Sequence, residues 1–331
     1  MINWGIIGLG NMANVFATSI KELDNCKLKF ISSLNSSKLK SFGDRYNIEN
    51  TNRFNSYEEL LEKNEVDAVY ISTLNNTHAE LIIKAVEYKK NILCEKPMTI
   101  NKAELEKATK KLNTSNIIFL EAIAYRSHPL TKNVVDILLD EKNGKIETIE
   151  TNFGFDTKKI NPNSRLYNKE LGGGSILDVG CYPISFLNLV NNINKKDNKI
   201  SISEVSGNIC ETGVDDYSCA KLELSSNVKA KIEVGIRKNL NNQVIIKTTQ
   251  GIIKIPEPWL PPQKTYIEVK MRDQYYKKFV NCEFSIYASQ IDFFNSMIRK
   301  KIKNPTFPYL SMQDSIEIAN LSLDWRQKLH S

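Results

Sequence analysis

The sequence lacks the usual signals of a membrane, secreted or metal-binding protein. Its apolar runs stop well short of the roughly 18 residues that a membrane span needs, and Met1 leads directly into a strand-like segment rather than a signal peptide. The six cysteines stand alone, with no CxxC pair and no Cys/His cluster. We therefore expect a cytoplasmic protein with reduced thiols, no membrane association and no metal site.

A basic face for nucleic acid is also missing. The formal charge of +7 would suit acidic partners. The lysines are nevertheless spread along the whole chain, and no arginine-rich or aromatic-interleaved basic segment occurs. The composition, 41% hydrophobic and 25% charged, is that of an ordinary globular protein. We expect no nucleic-acid partner.

Length and patterning predict an α/β protein of two domains, because 331 residues exceed what one compact core usually holds. Over residues 1–122, strand-like runs alternate with helix-like segments, which indicates a dinucleotide-binding Rossmann domain with a doubly wound parallel sheet. Over residues 123–331, successive strand patterns with helices at the ends predict an α+β domain with a large, open, mostly antiparallel sheet. Within that domain, residues 175–192 are typical of one helix.

Gly8-Leu9-Gly10-Asn11-Met12-Ala13 follows the first predicted strand and opens the first predicted helix. Gly8 permits a tight turn, Gly10 lets the backbone approach a pyrophosphate, and Ala13 lets helix and strand pack closely. The N-terminus of the helix favours phosphate charge. We interpret these six residues, Asn11 and Met12 included, as a dinucleotide-binding loop.

The end of the second predicted strand usually selects the cofactor, since an Asp or Glu there binds the adenosine ribose. This chain has no acid at residues 34–38 and offers Asn35, Ser36, Ser37 and Lys38 instead. Two hydroxyls, an amide and a lysine suit a 2′-phosphate, so the segment favours NADP. Two alternatives stay open: Ser36 or Ser37 caps the next helix, or Asn35 bonds the ribose of NAD.

Two further strand ends carry polar residues. Thr73, Asn75 and His78 follow the third predicted strand, and Glu95 and Lys96 follow the fourth, just before a proline. Ligands bind at the carboxyl edge of such sheets, so we interpret the first three residues as part of the cofactor wall. Glu95 is interpreted as a cofactor-side or structural carboxylate, and Lys96 as the functional lysine.

A second cluster reads GGGSILDVGCYP over residues 172–183. Glycines before a helix allow close approach to a ligand. In a helix that begins near Ser175, Asp178 and Tyr182 are four residues apart and share one face. Taken alone, this pair is more typical of a helix surface than of a site.

Three motifs taken together resemble the Gfo/Idh/MocA oxidoreductase family over essentially the whole chain: the GxGxxA loop, Glu95-Lys96-Pro97, and GGGxxxDxGxY at 172–182. The segment 121–129, which contains Arg126, and Arg165 add to the likeness. The resemblance implies a nicotinamide-binding Rossmann domain, and a second domain that binds a carbohydrate-like small molecule. It also implies a homodimer or homotetramer formed through the open sheet of that second domain.

The resemblance also assigns residues. It implies that Lys96 and Tyr182 flank the substrate carbon, with Asp178 beside them, and that the Lys96–Pro97 bond is often cis. It places Arg126 with the cofactor and Arg165 with the substrate. A tyrosine at 182 is similar to the branch of dihydrodiol dehydrogenases, NADP-linked aldose dehydrogenases and glucose-fructose oxidoreductase, whereas other branches usually carry histidine there. The substrate and the physiological direction stay open.

Oxidation of a CH–OH group needs a hydride acceptor and a base. A tyrosine with its ordinary pKa of about 10 is a poor base at neutral pH, but a nearby ammonium lowers that pKa. Our hypothesis is that Tyr182 accepts the proton, Lys96 assists it and binds the substrate oxygen, and Asp178 orients them. Lys96 as the base itself is the open alternative.

Two other functions compete with the dehydrogenase. A non-catalytic, nicotinamide-dependent ligand sensor would be expected to have lost Lys96, Asp178 or Tyr182, and the chain has all three. An NAD-dependent glycosidase, which oxidises its substrate transiently, would hold its NAD tightly and without exchange.

Overall fold

The protein is described here by a computed structural model, which covers residues 1–193, 199–225, 227–272 and 274–331. It divides into two compact units. The first unit consists of Met1–Ala122 and Tyr287–Met312, and the second of Ile123–Ile286 and Gln313–Ser331. None of the helices in these ranges is both long and apolar enough to cross a membrane.

The first 122 residues form short strands and helices in alternation. The strands are β1 (Ile2–Ile7), β2 (Cys26–Ser32), β3 (Arg53–Phe54), β4 (Ala68–Ile71), β5 (Asn91–Cys94) and β6 (Phe119–Glu121). The helices are α1 (Asn11–Ser19), α2 (Ser36–Arg45), α3 (Tyr57–Leu61), α4 (His78–Glu87) and α5 (Lys102–Asn113).

The six strands form one parallel sheet in the order β3-β2-β1-β4-β5-β6. The predicted Rossmann-type sheet is therefore confirmed. The strand order reverses between β1 and β4, and ligands of such sheets bind outside the carboxyl ends of the strands at this point. All four residues of β4 are buried, as expected for a strand that is covered on both faces.

The remaining elements alternate less regularly. The strands are β7 (Ile146–Gly154), β8 (Ser201–Ile209), β9 (Asp215–Glu223), β10 (Lys229–Gly235), β11 (Val244–Thr248), β12 (Gly251–Ile255), β13 (Lys264–Met271) and β14 (Gln274–Asn281). The helices are α6 (Pro129–Leu139), α7 (Ser175–Asp178), α8 (Cys181–Ile193), α9 (Ile286–Lys300) and α10 (Met312–His330).

Helix α9 belongs to the first unit from Tyr287 onward, although the sequence analysis placed it in a domain spanning 123–331. Its side chains pack on the parallel sheet: the indole of Trp4 donates a hydrogen bond to Asn295, and its ring lies 5.4 Å from that of Phe294. Asn25 donates to Asp292. These contacts join residues between 267 and 291 positions apart, so no local pattern reports them.

The eight strands of the second unit form one sheet in the order β14-β13-β12-β11-β7-β10-β9-β8. Neighbours are antiparallel except for the parallel pair β7 and β10. The predicted mostly antiparallel sheet is confirmed. Burial alternates along β9, β10 and β13, because one face of the sheet packs under helices such as α6 and α8.

The single helix predicted over 175–192 is wrong, because the chain breaks it between α7 and α8. Val179 leaves the helical conformation, with φ −121° and ψ −12°. The amide of Gly180 then donates to the carbonyls of both Ser175 and Ile176, which closes α7. Asp178 is thus the last residue of α7 and Tyr182 lies in the first turn of α8, so they do not share one continuous helix face.

Candidate active site

Gly8 makes the turn that follows β1. Its φ of +89° lies in the left-handed region, and an added Cβ would be 2.5 Å from the Thr73 side chain. Its amide donates to the Ser32 carbonyl at the end of β2, and its carbonyl accepts the Ser72 hydroxyl at 2.8 Å. The fold itself therefore requires glycine at this position.

Gly10 differs, because the described residues leave open space beside it. It caps the N-terminus of α1, and an added Cβ would meet only the Ser72 carbonyl oxygen, at 3.9 Å. Asn11 is exposed, Met12 is half-buried, and Ala13 is fully buried against the sheet. This open cradle at a helix N-terminus fits a pyrophosphate that approaches the backbone.

The start of α2 presents polar groups to solvent. Asn35, Ser36, Ser37 and Lys38 are all exposed. The side-chain oxygen of Asn35 accepts the Lys38 amide at 2.9 Å and so caps α2. The alternative in which Ser36 or Ser37 caps this helix is therefore wrong. Ser36 donates to Asn55 instead, at 2.9 Å.

The loop after β4 is supported from inside by His78. This side chain is fully buried, and its Nδ1 lies 2.8 Å from the Pro97 carbonyl oxygen. Its Nε2 lies 3.3 Å from the Thr73 carbonyl oxygen. Thr73 is half-buried and accepts the Thr77 hydroxyl, and Asn75 is buried. His78 therefore ties two loops together beneath their surface, whereas the sequence analysis placed it in the cofactor wall.

Glu95 is held by β4. The Tyr70 hydroxyl donates to its carboxylate at 2.5 Å, and the Glu95 amide donates to the Ile71 carbonyl. Burial, followed by the Glu95 charge, raises the pKa of Tyr70 well above its ordinary value. Both side chains are buried. Of the two roles expected for Glu95, these contacts favour the structural one.

Lys96 is half-buried, and the backbone on both sides of it is fixed. The Lys96–Pro97 bond is cis, as the resemblance implies. The amide of Met98 donates to the Glu121 carboxylate at 2.9 Å, from the end of β6. Together with the bonds to Glu95 and Pro97, this holds the loop after β5 from three neighbouring segments.

Tyr287 of α9 is a residue that the sequence analysis missed. Burial chiefly raises its pKa, the Glu95 charge raises it further, and the Lys96 charge opposes them. A phenol from the far end of the chain thus lies within electrostatic reach of the Glu95–Lys96 pair. Only the packing of α9 on the first unit brings it there.

In the second unit, Arg165 and Asp178 form an ion pair with an Nη1–Oδ1 distance of 2.9 Å. The Asp178 carboxylate is nearly buried, whereas 44% of the Arg165 side chain is exposed. Both residues are expected at the substrate from the sequence, but their bond to each other is not. An exposed guanidinium anchored by a buried carboxylate is suited to binding a polar ligand.

The three glycines before α7 pack against the segment that carries Arg165. The Gly173 and Gly174 amides donate to the carbonyls of Asn168 and Leu166, both at 2.9 Å. An added Cβ on Gly173 would lie within 2.8 Å of three backbone carbonyl oxygens. The expected reason for these glycines was approach to a ligand; the structure shows that backbone packing requires them.

Tyr182 is packed among aromatic rings. Its own ring contacts Phe153 edge-on, with centroids 5.1 Å apart, and lies 6.2 Å from Trp259 and 6.4 Å from Tyr125. The Trp259 indole donates to the Asn152 carbonyl, which fixes that ring in turn. Only 7% of Tyr182 is exposed. Its orientation is therefore set by its aromatic neighbours.

Arg126 lies inside the second unit. It is almost fully buried, donates to the Ser185 carbonyl at 3.1 Å and lies 3.9 Å from the Asp314 carboxylate. These contacts connect the segment before α6 to α8 and α10. They give Arg126 a structural role, whereas the resemblance assigned it to the cofactor.

Two family models match the chain. Residues 2–122 match the model described as the oxidoreductase family with an NAD-binding Rossmann fold. Residues 132–254 match the model of the GFO/IDH/MocA C-terminal domain. Together they cover most of both units described above.

Among characterised proteins, the chain is 30% identical to trans-1,2-dihydrobenzene-1,2-diol dehydrogenase of Xenopus tropicalis over 271 residues, 81% of this chain and 79% of that protein. The mouse dihydrodiol dehydrogenase is also 30% identical, over 79% of this chain and 77% of its own length. These matches extend over both units.

Two solved structures share the fold. A 3-ketoreductase from Actinomadura kijaniata, in complex with NADP and TDP-benzene, has a TM-score of 0.86 at 22% identity, covering 98% of this chain and 97% of its own. An aldose-aldose oxidoreductase from Caulobacter crescentus, complexed with glycerol, has a TM-score of 0.85 at 21% identity, covering 99% and 98%.

Proposed function

Because the chain belongs to the Gfo/Idh/MocA family of NAD(P)-dependent oxidoreductases, we propose that it is a dehydrogenase of a cyclic diol or sugar. A nicotinamide cofactor, when bound, would supply the atom that gains or loses the hydride. The observation that carries the substrate class is Arg165, whose side chain is 44% exposed and whose guanidinium is anchored by Asp178 at 2.9 Å, so that it can bond the hydroxyls of a diol or a sugar. The aromatic cluster around Tyr182, which consists of Tyr125, Phe153 and Trp259, is mostly buried and fixes the Tyr182 ring in the same unit as this pair.

Tyr182 exchanges the proton of the substrate hydroxyl. Its aromatic neighbours hold its ring, as a positioned acid or base requires. The half-exposed Arg165, anchored by Asp178, binds a second hydroxyl of the substrate. We also propose that Lys96 binds the substrate oxygen in this reaction, since its loop is held rigidly from three sides.

NADP is the proposed cofactor. The exposed start of α2 offers the Ser36 and Ser37 hydroxyls and the Lys38 ammonium, with no carboxylate among residues 34–38 to repel a 2′-phosphate. The positive end of the helix macrodipole favours the same group. The open space beside Gly10 receives the pyrophosphate.

A trans-dihydrodiol is the first substrate to test, in view of the related dehydrogenases. An aldose is the second candidate, because the Arg165 guanidinium can bond several hydroxyls of a polyhydroxylated ring. Purified protein with NADP or NAD and a panel of dihydrodiols, aldoses and polyols would reveal turnover as reduced-nicotinamide fluorescence. Catalytic turnover supports the dehydrogenase, stoichiometric reduction of tightly held NAD indicates a glycosidase, and ligand binding without any reduction indicates a sensor.

Tyr182→Phe tests the assignment of the proton acceptor. Loss of this hydroxyl should lower kcat by about 10²- to 10⁴-fold and leave NADP binding unchanged. Tyr125→Phe is the matched control, because it also removes a hydroxyl from the aromatic cluster around Tyr182. The Tyr125 hydroxyl is hydrogen-bonded to the Ser185 hydroxyl at 2.6 Å. Near-wild-type turnover of Tyr182→Phe would exclude the tyrosine and leave Lys96 as the candidate base.

We propose that a second copy covers the open face of the eight-stranded sheet. That face carries ion pairs such as Lys221–Glu204 and Lys277–Glu268, and on β14 the aromatic side chains of Tyr275 and Phe279 are 60% and 70% exposed. Sedimentation should give a dimer or tetramer that Phe279→Lys dissociates; a monomeric wild-type protein would refute this.

We also propose a cytoplasmic location, since the six cysteines are thiols.

A further inference from the structure

Strand β9 begins with two adjacent acids that are both buried, Asp215 and Asp216. Their contacts differ. Asp216 accepts hydrogen bonds from Asn208 at 2.7 Å and Arg237 at 3.4 Å. Asp215 instead contacts the start of α7, some 40 residues earlier in the chain.

The Oδ2 atom of Asp215 accepts two hydrogen bonds, one from the Ser175 hydroxyl and one from the Ile176 amide, both at 2.7 Å. The first amides of a helix have no partner within the helix. A carboxylate placed there can accept their hydrogen bonds, and its negative charge is also stabilised by the positive end of the helix dipole. A helix of only four residues, such as α7, is unstable on its own. Asp215 therefore supplies a large part of what keeps α7 formed.

Gly174 provides a second, independent contact with the same carboxylate. Its φ is +111°, and an added Cβ would clash with the Oδ1 atom of Asp215. Oδ1 thus occupies the space that any other side chain at 174 would need. The carboxylate therefore packs closely against the last residue of the glycine turn and bonds the first two residues of α7.

What Asp215 holds in place is the Arg165–Asp178 pair. Asp178 is the last residue of α7 and bonds Arg165 at 2.9 Å. The Gly174 amide bonds the Leu166 carbonyl, next to Arg165. A shift of α7 would therefore move both members of the ion pair.

We propose that Asp215 is a positioning residue: it anchors α7 so that Asp178 and Arg165 are placed to bind substrate. This inference rests on the proposed function only for the role of the ion pair. The anchoring of α7 itself is a structural statement about residues 174–178 and can be measured without any substrate.

The test compares Asp215→Ala with Asp216→Ala, a matched loss of a buried acid from the adjacent position. Hydrogen exchange in a peptide spanning residues 172–182 should become about tenfold faster or more in Asp215→Ala, and stay unchanged in Asp216→Ala. The kcat/KM for the substrate should fall about tenfold to a hundredfold in Asp215→Ala, while NADP binding is unchanged. Asp215→Asn, which keeps an acceptor oxygen, and Ser175→Ala should each give smaller losses.

Two results for Asp215→Ala alone would overturn the proposal, and the comparison with Asp216→Ala supplies a third. One is unchanged exchange over residues 172–182 in Asp215→Ala. The other is accelerated exchange without any loss of kcat/KM, in an enzyme that Tyr182→Phe inactivates. If Tyr182→Phe keeps full activity, the catalytic assignment fails instead, and the exchange measurement still decides whether Asp215 anchors α7. If Asp215→Ala lowers kcat/KM no more than Asp216→Ala does, the effect is general destabilisation and the positioning role is wrong.

Discussion

The two units place their candidate residues in different ways. In the first unit, Gly8, Gly10 and Lys96 lie in loops directly after β1 and β5, at one edge of a parallel sheet. In the second unit, the position of Asp178 is set by a glycine turn, by the segment that carries Arg165, and by Asp215 from a distant strand. Positions in the first unit therefore follow from short-range spacing, whereas those in the second unit are set by contacts between distant segments.

The glycines show the same difference. Gly8 and Gly174 have positive φ and leave no room for a Cβ, so the fold requires both. Gly10 has room for a Cβ, so close packing does not explain it, whereas the pyrophosphate site that we propose does. On this proposal the glycine motif combines structural and ligand-binding positions, which the space around each residue distinguishes.

The largest expected effect tests whether the first unit contributes to the chemistry. Lys96→Met should lower kcat by about 10²- to 10⁴-fold. NADP binding should be kept, because the loop backbone is fixed through Glu95, Pro97 and Met98. Steady-state kinetics and NADP titration measure the two quantities.

Lys84→Met serves as the control for Lys96→Met. It removes a lysine of the same unit that forms surface ion pairs with Glu58 and Glu80, and turnover should not change. Wild-type turnover in Lys96→Met would show that this residue of the first unit takes no part in the chemistry, which would then be confined to the second unit.

The next effect concerns acid stability of the second unit. The buried Nδ1 atom of His128 accepts the Leu130 amide and caps α6, and burial lowers the pKa of His128 to about 4. As pH falls, His128 of the unfolded chain is protonated near pH 6.5, whereas His128 of the folded protein is protonated only near pH 4. The stabilisation is therefore complete above about pH 6.5 and is lost as pH falls towards 4, by up to about 3 kcal/mol.

His128→Asn, which keeps a capping oxygen, should flatten this pH dependence. Urea unfolding between pH 4.5 and about pH 7.5 measures the free energy of unfolding in both proteins. His330→Asn is the comparison: partial burial, with the Arg326 and Lys169 charges, also lowers the pKa of His330, but this side chain is exposed and its loss should flatten the slope less. An unchanged slope in His128→Asn would show that other groups cause the loss in acid.

The smallest effect separates the two kinds of glycine. Gly10→Ala should leave thermal stability within about 0.5 kcal/mol but weaken NADP binding about tenfold, since the new methyl group fills the space that the pyrophosphate needs. Gly8→Ala should instead destabilise the fold by about 1–3 kcal/mol, because of its φ of +89°. Equal NADP affinity of Gly10→Ala and the wild type would contradict the proposed cofactor site.

Much of the first unit could be predicted because its signals are local. A strand, a GxGxxA loop and a helix are consecutive, and the loop after β5 reads directly as Glu95-Lys96-Pro97. His78 was the exception. A histidine at a strand end looks available to a ligand, and only its burial between two carbonyl oxygens shows that it supports the loops.

By itself, the sequence determined the parallel sheet, the dinucleotide loop and the family, because each depends on residues a few positions apart. Only the tertiary structure decided the break between α7 and α8, the Arg165–Asp178 pair, the Asp215 anchor and the place of Tyr287. The physical reason is that groups distant along the chain meet only in the folded protein. At the start of α7, for example, the partner of the Ile176 amide is a carboxylate about 40 residues away, which no local pattern reports.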